Sequence, residues 1–491
     1  MIVPDTLNNK IEIMRIHIKN ILLAVIATGI SIAGCKKWDD HNAITDASIG
    51  IDLLQQIKEN SNLSKFADLL VKSGYDKVIA SSKTFTVFAP TNAALATLDA
   101  TIVNDSARLS QFMGNHIANQ TIFTKAAIVP QRVLMLNGKY NHFNLKNIED
   151  ATITDADKLA KNGVVQVIDK MLPVLDNTWE TLKNNTNIPA AQKAYMLSLF
   201  RKVFDTTNAV QIGINPTSGD PVYQTGTDSI TTNLFWKDVH DLKNEGKEFS
   251  LIVLVDAAWN SEINKLKPYF ATGSVDSTNN LSSWSVVKDL AVNKVFAAGN
   301  IPDTIISKFD VKVPMDKSAI VQTIKTSNGT IYIMNKVDVL PKNKLKQFYI
   351  EAENYRFTNV DRRGNTYFRD RFNTSTNYDF RDVLVYGHGV SLFNINYQIK
   401  NVYSLKYRAY WVAVNDFQAA SFSQKLGIGS ATSTTLGYTT VAANVFTEVL
   451  IGEFTITNYQ SVLDIYLTAA NSTTAAVNPI VCDYIRLEPV L

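Results

Sequence analysis

The histidines offer the widest range of chemistry, and in this 491-residue chain they are scattered. None is paired at metal-ligand spacing; they are His17, His41, His116, His142, His240 and His388. No Asp and Ser or Cys partners accompany His116, so we expect it to be buried and hydrogen-bonded.

Nucleophile-elbow, zinc-protease, Cys-x-x-Cys and phosphate-loop patterns are absent from the sequence. Paired carboxylates for glycoside hydrolysis need only meet in space and stay open, but we expect no enzyme.

Aromatic side chains in the last third could instead hold a sugar. A pyranose ring has an apolar face that packs on an exposed aromatic ring, while polar groups around it bind the hydroxyls. The candidates are Tyr367, Phe368, Tyr386 and Trp411. Aromatic residues of this kind more often belong to the core than to a sugar platform.

The first cysteine stands at the end of an apolar run. Residues 21–33 are uncharged and follow Arg15 and Lys19, which is the order of a secretory signal, and the run is short for a span of about 20 residues. It ends in Ile-Ala-Gly-Cys at 32–35, which resembles the bacterial lipobox, where the signal is cut before a cysteine that carries diacylglycerol. The resemblance implies a lipoprotein signal peptide at 1–34, starting at Met1 or Met14, with lipidation at Cys35.

Residues 35–49, which begin with that cysteine, are predicted to form a tether. Its Lys-Lys-Trp-Asp-Asp segment at 36–40 resembles a signal for display on the outer face of Gram-negative cells, and a plain solvated linker fits equally well. We therefore expect a lipid-anchored protein of the outer membrane that faces the exterior.

Composition bounds the remaining chain. A hydrophobic fraction of 46% and a charged fraction of 19% are typical of domains with buried hydrophobic cores. The length predicts two to four such domains. A net charge of +3 excludes a general nucleic-acid binder, because phosphate recognition needs concentrated cationic surface. The arginines among the aromatics (Arg362, Arg363, Arg369, Arg371 and Arg381) are offset by Asp361, Asp370, Asp379 and Asp382.

An internal repeat organises the middle of the chain. The segments Thr-Phe-Thr-Val-Phe-Ala-Pro-Thr-Asn-Ala-Ala at 84–94 and Asn-Gly-Val-Val-Gln-Val-Ile-Asp-Lys-Met-Leu-Pro at 162–173 resemble the two signatures of the fasciclin domain. Residues 249–259 align on 85–95, and residues 328–336 align on 162–170, at offsets of 164 and 166. These nearly equal offsets predict fasciclin-like domains at 50–175 and 176–345, the second with an insertion at about 205–248. We also expect a helix with Met196, Phe200 and Phe204 on one face.

Residues 346–491 alternate at period two between Gly, Asn, Ser and Thr turns, which predicts a β-sandwich. Glu-Ala-Glu at 351–353 and Asp-Tyr-Ile-Arg-Leu-Glu-Pro-Val at 483–490 resemble the terminal strands of galactose-binding-like jelly rolls, such as family-six carbohydrate-binding modules. The resemblance implies that these strands are neighbours and that Glu351, Glu353 and Asp483 hold a structural calcium. Solvated strand-end carboxylates with Arg486 as an ion-pair partner are the alternative.

The expected fold class is therefore α+β, with two fasciclin-like α+β domains in tandem followed by an all-β jelly-roll sandwich. The expected function is non-catalytic adhesion, or binding of extracellular glycan or matrix, by a protein held to the membrane through its lipid. An accessory glycan-binding subunit of an outer-membrane nutrient-uptake system, with a transporter as partner, is the alternative. Neither hypothesis involves nucleic acid.

Overall fold

The computed structural model describes residues 50–81, 83–125, 130–297, 299–373 and 376–491. The expected signal peptide, Cys35 and the tether lie outside these residues. The contacts divide the chain into two units, Met1–Val174 and Leu175–Leu491. Within the described ranges, no helix combines the length and the apolar character needed to cross a membrane.

The described part of unit 1 has three α-helices before its first strand and two after it. They are α1 (Leu53–Glu59), α2 (Ser64–Ser73), α3 (Tyr75–Ile79), α4 (Ala100–Asn104) and α5 (Ser106–Gly114). Helix α2 buries Phe66, Leu69 and Leu70 on one face. It ends at Gly74, whose positive φ of 79° suits the left-handed cap that glycine adopts without strain.

The strands of unit 1 form one mixed sheet in the order β2-β1-β7-β6-β5-β4-β3. Their bounds are β1 (Phe85–Pro90), β2 (Ile117–Ala118), β3 (Gln131–Leu134), β4 (Tyr140–Asn144), β5 (Asn147–Ile148), β6 (Ala151–Ala160) and β7 (Gly163–Ile168). Strands β1 and β7 run parallel, with Phe85 opposite Gly163. Every residue of both strands is buried, as expected for the covered centre of a sheet.

Unit 2 begins with a second α+β domain. Its helices are α6 (Thr178–Asn184), α7 (Ala190–Ser198), α8 (Leu234–Asp238), α9 (Asp256–Leu266), α10 (Val275–Val287) and α11 (Pro341–Lys344). Its strands are β8 (Phe200–Phe204), β9 (Gln211–Ile214), β10 (Pro221–Tyr223), β11 (Ser229–Asn233), β12 (Phe249–Leu254), β13 (Ala291–Val292), β14 (Thr304–Ile306), β15 (Lys312–Pro314), β16 (Ile320–Thr326) and β17 (Gly329–Met334).

The strand order confirms the predicted duplication. The sheet β13-β12-β17-β16 repeats the order β2-β1-β7-β6. Strands β12 and β17 are parallel with Phe249 opposite Gly329, as Phe85 is opposite Gly163. The asparagine before each glycine also repeats its role, because Asn162 Oδ1 accepts from Leu53 N (2.9 Å) and Asn328 Oδ1 accepts from Thr178 N (2.8 Å).

The expected helix from Met196 through Phe204 is wrong. Helix α7 ends at Ser198, and the next residues form β8, in which Phe200 pairs with Asn233 of β11. Strands β9 and β10 form a further hairpin beyond this pair. The inserted sequence returns beside residues 200–204 and supplies ladder hydrogen bonds, so the strand replaces the helix that the apolar spacing suggested.

The last part of unit 2 is an all-β sandwich in which the described residues form no α-helix. Its strands are β18 (Phe348–Glu351), β19 (Phe357–Thr358), β20 (Thr366–Asn373), β21 (Tyr378–Val385), β22 (Asn394–Val402), β23 (Lys406–Trp411), β24 (Phe422–Ile428), β25 (Tyr438–Val441), β26 (Val449–Thr455), β27 (Gln460–Ala469), β28 (Ile480–Cys482) and β29 (Tyr484–Val490). The sheets are β18-β29-β23-β26, β19-β22-β27-β24-β25 and β20-β21-β28. The first and last strands therefore pair, as expected.

The second α+β domain and the sandwich share one core. The ring of Phe270 lies 5.6 Å from that of Tyr403 and 5.7 Å from that of Tyr459. Backbone hydrogen bonds join the same segments, since Ser404 N donates to Tyr269 O (2.8 Å) and Tyr459 N donates to Ala271 O (2.7 Å). A continuous set of buried apolar residues runs through both domains, so they form a single compact unit.

Candidate functional site

A cavity of about 580 Å³ lies beside the terminal strands of the sandwich. Its volume falls within the range of small-molecule sites, roughly 300–1,000 Å³. Aromatic and charged side chains line it together, among them Tyr349, Glu351, Tyr378, Asp379, Arg381, Phe446, Glu448, Asp483 and Tyr484. This mixture of rings and polar groups makes it the best candidate for a binding site in the described chain.

The pairing of β18 with β29 forms one wall of this cavity. Glu351 stands opposite Tyr484, and Tyr349 stands two residues before Glu351 on the same strand. Alternate residues of a strand point to the same face, so Tyr349, Glu351 and Tyr484 share one side of the sheet. The rings of Tyr349 and Tyr484 lie 5.7 Å apart.

Glu448 is fixed at the edge of this wall. The guanidinium of Arg486 donates two hydrogen bonds to the Glu448 carboxylate, from Nε to Oε1 at 2.7 Å and from Nη2 to Oε2 at 2.6 Å. Tyr484 Oη also donates to Oε1, at 2.9 Å. The hydrogen bonds from Arg486 lower the pKa of Glu448. Because a bidentate pair restricts both partners, Glu448 is ionised and already neutralised.

Asp483 lies between β28 and β29 and is only 8% exposed. Its backbone is satisfied, because Asp483 N donates to Val412 O (2.8 Å) and Ala352 N donates to Asp483 O (2.7 Å). Its carboxylate has no hydrogen-bond partner among the described residues and borders the cavity. Burial and the nearby Glu351, Asp382 and Glu353 charges raise the pKa of Asp483 to about 7.

Glu351 shares this environment. Burial and the charge of Glu353 raise the pKa of the Glu351 carboxyl above its ordinary value. Glu351 also has no hydrogen-bond or ion-pair partner within the described ranges. The cavity therefore presents two acidic side chains without a cation or donor among the described residues: Asp483, which is buried, and Glu351, which is exposed at the end of β18.

The three expected calcium ligands lie near enough to one another for Glu351 and Glu353 to act on the pKa of Asp483, but only two of the three line the cavity. Strand β18 ends at Glu351, and Glu353 falls in the following turn, so the two glutamates do not alternate along one strand. Glu353 does not line the cavity, and its Oε2 is buried without a partner. Across the described residues, no three His, Cys, Asp or Glu side chains are grouped so that they could hold a metal ion.

The alternative for these carboxylates holds only in part, because Glu351 is exposed at the end of β18 but does not pair with Arg486. Arg486 pairs with Glu448 and lies 3.6 Å from Glu488, and neither Glu351 nor Asp483 is among its partners. The guanidinium stacks over Tyr410 at 4.1 Å from the ring centroid. Arg486 therefore supports the wall of the cavity and leaves the two acids uncompensated.

The predicted sugar platforms lie elsewhere. Trp411 is fully buried, because β23 is held between β26 and β29 and its inward face forms the core, so it cannot stack on a ligand. Tyr367, Phe368 and Tyr386 are exposed but do not line the cavity. Phe368 instead stacks on Tyr355 at 6.3 Å, within 10° of parallel.

The rings that do line the cavity were missed. Tyr349, Tyr378, Phe446 and Tyr484 come from β18, the start of β21, a loop and β29. Only Tyr349 had a signal in the sequence, since it stands two residues before Glu351 on an alternating strand. The arginines near this region are paired as the charges predicted: Arg369 with Asp382 and Asp416, and Arg381 with Asp370 at 3.4 Å.

His116 in unit 1 has the buried position expected of it. Its ring packs against Phe66 and Phe112, with centroids 5.8 and 4.6 Å away. Leu172 N donates to Nε2 at 2.9 Å, and Nδ1 lies 2.8 Å from Phe112 O, which it contacts as a donor in the neutral ring. Burial lowers the pKa of His116 to about 4, so the ring is neutral and structural.

Comparisons with known proteins bear on both units. Residues 61–174 match the fasciclin domain family. No curated protein matches the chain. Among solved structures, a FAS1 domain pair from the insect cell adhesion molecule fasciclin I is 16% identical, with 58% of this chain and 99% of that chain covered and a TM-score of 0.24.

Two carbohydrate-binding modules resemble a smaller share of the chain. CsCBM6-3 from Clostridium stercorarium, in complex with cellobiose, is 18% identical over 29% of this chain and 94% of its own (TM-score 0.20). CBM36, in complex with calcium and xylotriose, is 18% identical over 29% of this chain and 99% of its own (TM-score 0.20). These scores are low, so the fold rests on the strand order and register above: two α+β domains of one topology, then a jelly-roll sandwich. Within this fold, residues 61–174 are similar to the fasciclin domain family.

Proposed function

We propose that this protein is a lipid-anchored protein of the cell envelope that binds extracellular glycan or matrix and serves adhesion. The observation that carries the proposal is the 580 Å³ cavity in the last domain, where aromatic rings and polar side chains converge. Sugars offer an apolar ring face and a rim of hydroxyls, and such a lining matches both. The fasciclin domain at 61–174 supports the adhesive role.

The anchor belongs to the same proposal. The charged start, the apolar run and the small residues before Cys35 support cleavage and lipidation at that cysteine. With the chain held there at the outer membrane, facing the exterior, the sandwich at 346–491 is the part farthest along the sequence from the lipid. The mass of the mature N-terminus tests this part, and an unmodified Cys35 that retains residues 1–34 would contradict it.

We further propose that the protein catalyses no reaction. The described lining of the cavity contains no histidine or cysteine, so it offers no imidazole or thiol as base or nucleophile. Glycoside hydrolysis uses a pair of carboxylates, so Glu351 and Asp483 are the groups whose inactivity has to be tested. Incubation with the oligosaccharides that bind, followed by chromatography of the products, tests this point, and cleavage of any of them would overturn it.

Binding itself is tested with the purified full chain on a glycan array, followed by calorimetry. Tyr378 is 71% exposed and lines the cavity, so Tyr378→Ala should weaken glycan binding roughly tenfold without changing stability. Tyr367→Ala is the matched control, since Tyr367 is 48% exposed and lies outside the cavity. An array without any bound glycan, or equal losses in the two variants, would contradict the proposal.

A second function is favoured by the inserted hairpins. Ile212 and Ile214 of β9 are 64% and 65% exposed, and residues 203–228 contain three Asp but no Lys or Arg. Exposed apolar edge strands without protecting charges are typical of interaction surfaces. An accessory subunit of an outer-membrane uptake system could dock to its transporter here. Co-purification with that transporter should be lost in Ile212→Ser/Ile214→Ser and kept in Val275→Ser, a change at another exposed apolar residue.

A further inference from the structure

We infer that the cavity of the sandwich selects a cationic sugar, namely a glycan with free primary amino groups. The inference rests on the proposed glycan binding and specifies its ligand class. It follows from the charge of the lining, from one buried carboxylate without a partner, and from the absence of metal-ligand geometry around it.

The lining carries a net negative charge when the ion pairs of its side chains are taken into account. It contains four carboxylates and one cation, Arg381. Glu448 is neutralised by Arg486, and Arg381 is engaged with Asp370 at 3.4 Å. The remaining acids leave the cavity negatively charged, which opposes uronic-acid or sulfated glycans and favours a positively charged one.

Asp483 points to the kind of cation. It is more than nine-tenths buried, its backbone groups are used by the sheet, and its side chain has no donor within the described chain. An ionised carboxylate only accepts hydrogen bonds, and a buried acceptor without a donor is costly. A primary ammonium carries three N–H donors and a charge, so one such group can satisfy Asp483 and Glu351 together. A quaternary ammonium has no N–H and would leave the buried Asp483 without a donor.

A metal ion fits the same charge less well. Only Glu351 and Asp483 of the three expected ligands border the cavity, and no trio of ligating side chains is grouped for a metal among the described residues. Tyr349 and Tyr378 stand beside these acids, where a ring face of the sugar can pack while its amino group reaches the carboxylates. The amino sugar uses both the rings and the acids, whereas a bare ion uses the acids alone.

The test compares three tetrasaccharides of one linkage with the full chain by calorimetry in EDTA: β-1,4-glucosamine, its N-acetylated form and β-1,4-glucose. The glucosamine form should bind at least tenfold more tightly than the other two. Glu351→Gln and Asp483→Asn should each remove about tenfold of this preference, and melting curves confirm that each variant is folded. Asp361→Asn, which removes an exposed acid outside the cavity, should leave binding unchanged.

The outcomes separate the inference from the proposal beneath it. Equal binding of all three sugars, unaffected by the two acid variants, overturns the inference and leaves glycan binding in place. Binding that appears only with added calcium, or equally tight binding of a lysine tetrapeptide, also overturns it. No binding of any glycan overturns both.

Discussion

Gly163 lies against the backbone of Phe85 so closely that a Cβ at position 163 would stand 1.9 Å from the Phe85 carbonyl oxygen. Gly329 has the same relation to Phe249, at 2.1 Å. In both domains this contact opens the parallel pairing of the two central strands. The glycine of each Asn-Gly turn is therefore required by the approach of two backbones, which explains why it occurs in both repeats.

Replacing Gly163 with alanine should therefore break the start of the central pairing in unit 1. A backbone atom cannot move aside as the end of a side chain can, so we expect a loss of about 3 kcal/mol or more in the free energy of unfolding. Urea denaturation of the full chain measures it. Gly50→Ala, at a glycine with open space around its Cβ position, should change stability by less than about 0.5 kcal/mol. Equal effects of the two changes would contradict the packing argument.

Acid should destabilise unit 1 through His116. Its pKa of about 4 in the fold lies below the ordinary value of 6.5, so the folded state binds the proton less readily than the unfolded one. The contribution is complete above pH 6.5 and is lost as the pH falls toward 4, by about 3 kcal/mol in total. An NMR titration of the His116 ring gives the pKa directly, and a value near 6.5 would refute the predicted burial.

Phe270 should couple the two domains of unit 2. Truncation to alanine removes its contacts with Tyr403 and Tyr459, and we expect a cost of about 3 kcal/mol. Calorimetry of the unaltered chain should show the second α+β domain and the sandwich melting together, whereas Phe270→Ala should separate them into two transitions. Val275→Ala, at a highly exposed position, should keep them joined. Two separate transitions in the unaltered chain would contradict the shared core.

Asp483→Asn should stabilise unit 2 at neutral and alkaline pH. Its pKa of about 7 lies above the ordinary 3.8, so the charged form disfavours the fold; this cost is complete above pH 7 and disappears as the pH falls below 3.8. We expect a gain of about 1 to 2 kcal/mol at pH 8, less than the whole shift implies because the cavity admits water. Melting temperatures at pH 8 and pH 4 measure it, with Asp361→Asn as the unchanged control.

Local patterns predicted the repeated domains because their signals are themselves local. The alternating strand before Pro90 and the turn before Gly163 each fix the backbone over a few residues, and both recur at nearly constant offsets. The spacing of Phe200 and Phe204 was equally local but ambiguous. It fits one face of a helix and also the ends of a five-residue strand, and only the returning strand β11 decides between them.

The binding site could not be predicted in the same way. Tyr349, Tyr378 and Phe446 are separated by tens of residues and meet only through the order of the strands. The solvent exposure of the aromatic residues could not be predicted from the sequence either. Alternation shows that Trp411 faces one side of its strand, but it does not show which side of the sheet is covered. Asn92 shows the same limit: nothing in its local sequence indicates that its Oδ1 accepts from Lys65 N at the start of α2, 27 residues earlier.

The pairing of β18 with β29 has a mechanical consequence. Strand β18 follows directly from the second α+β domain, so a force applied on the N-terminal side of the chain would reach the sandwich at β18 as well as through the shared core. That strand is an edge strand with β29 as its one neighbour in the sheet. A ligand held between Glu351 and Asp483 would join the end of β18 to the residue that precedes β29 and resist separation of the two strands. Occupancy of the cavity would then strengthen the sandwich against such a force.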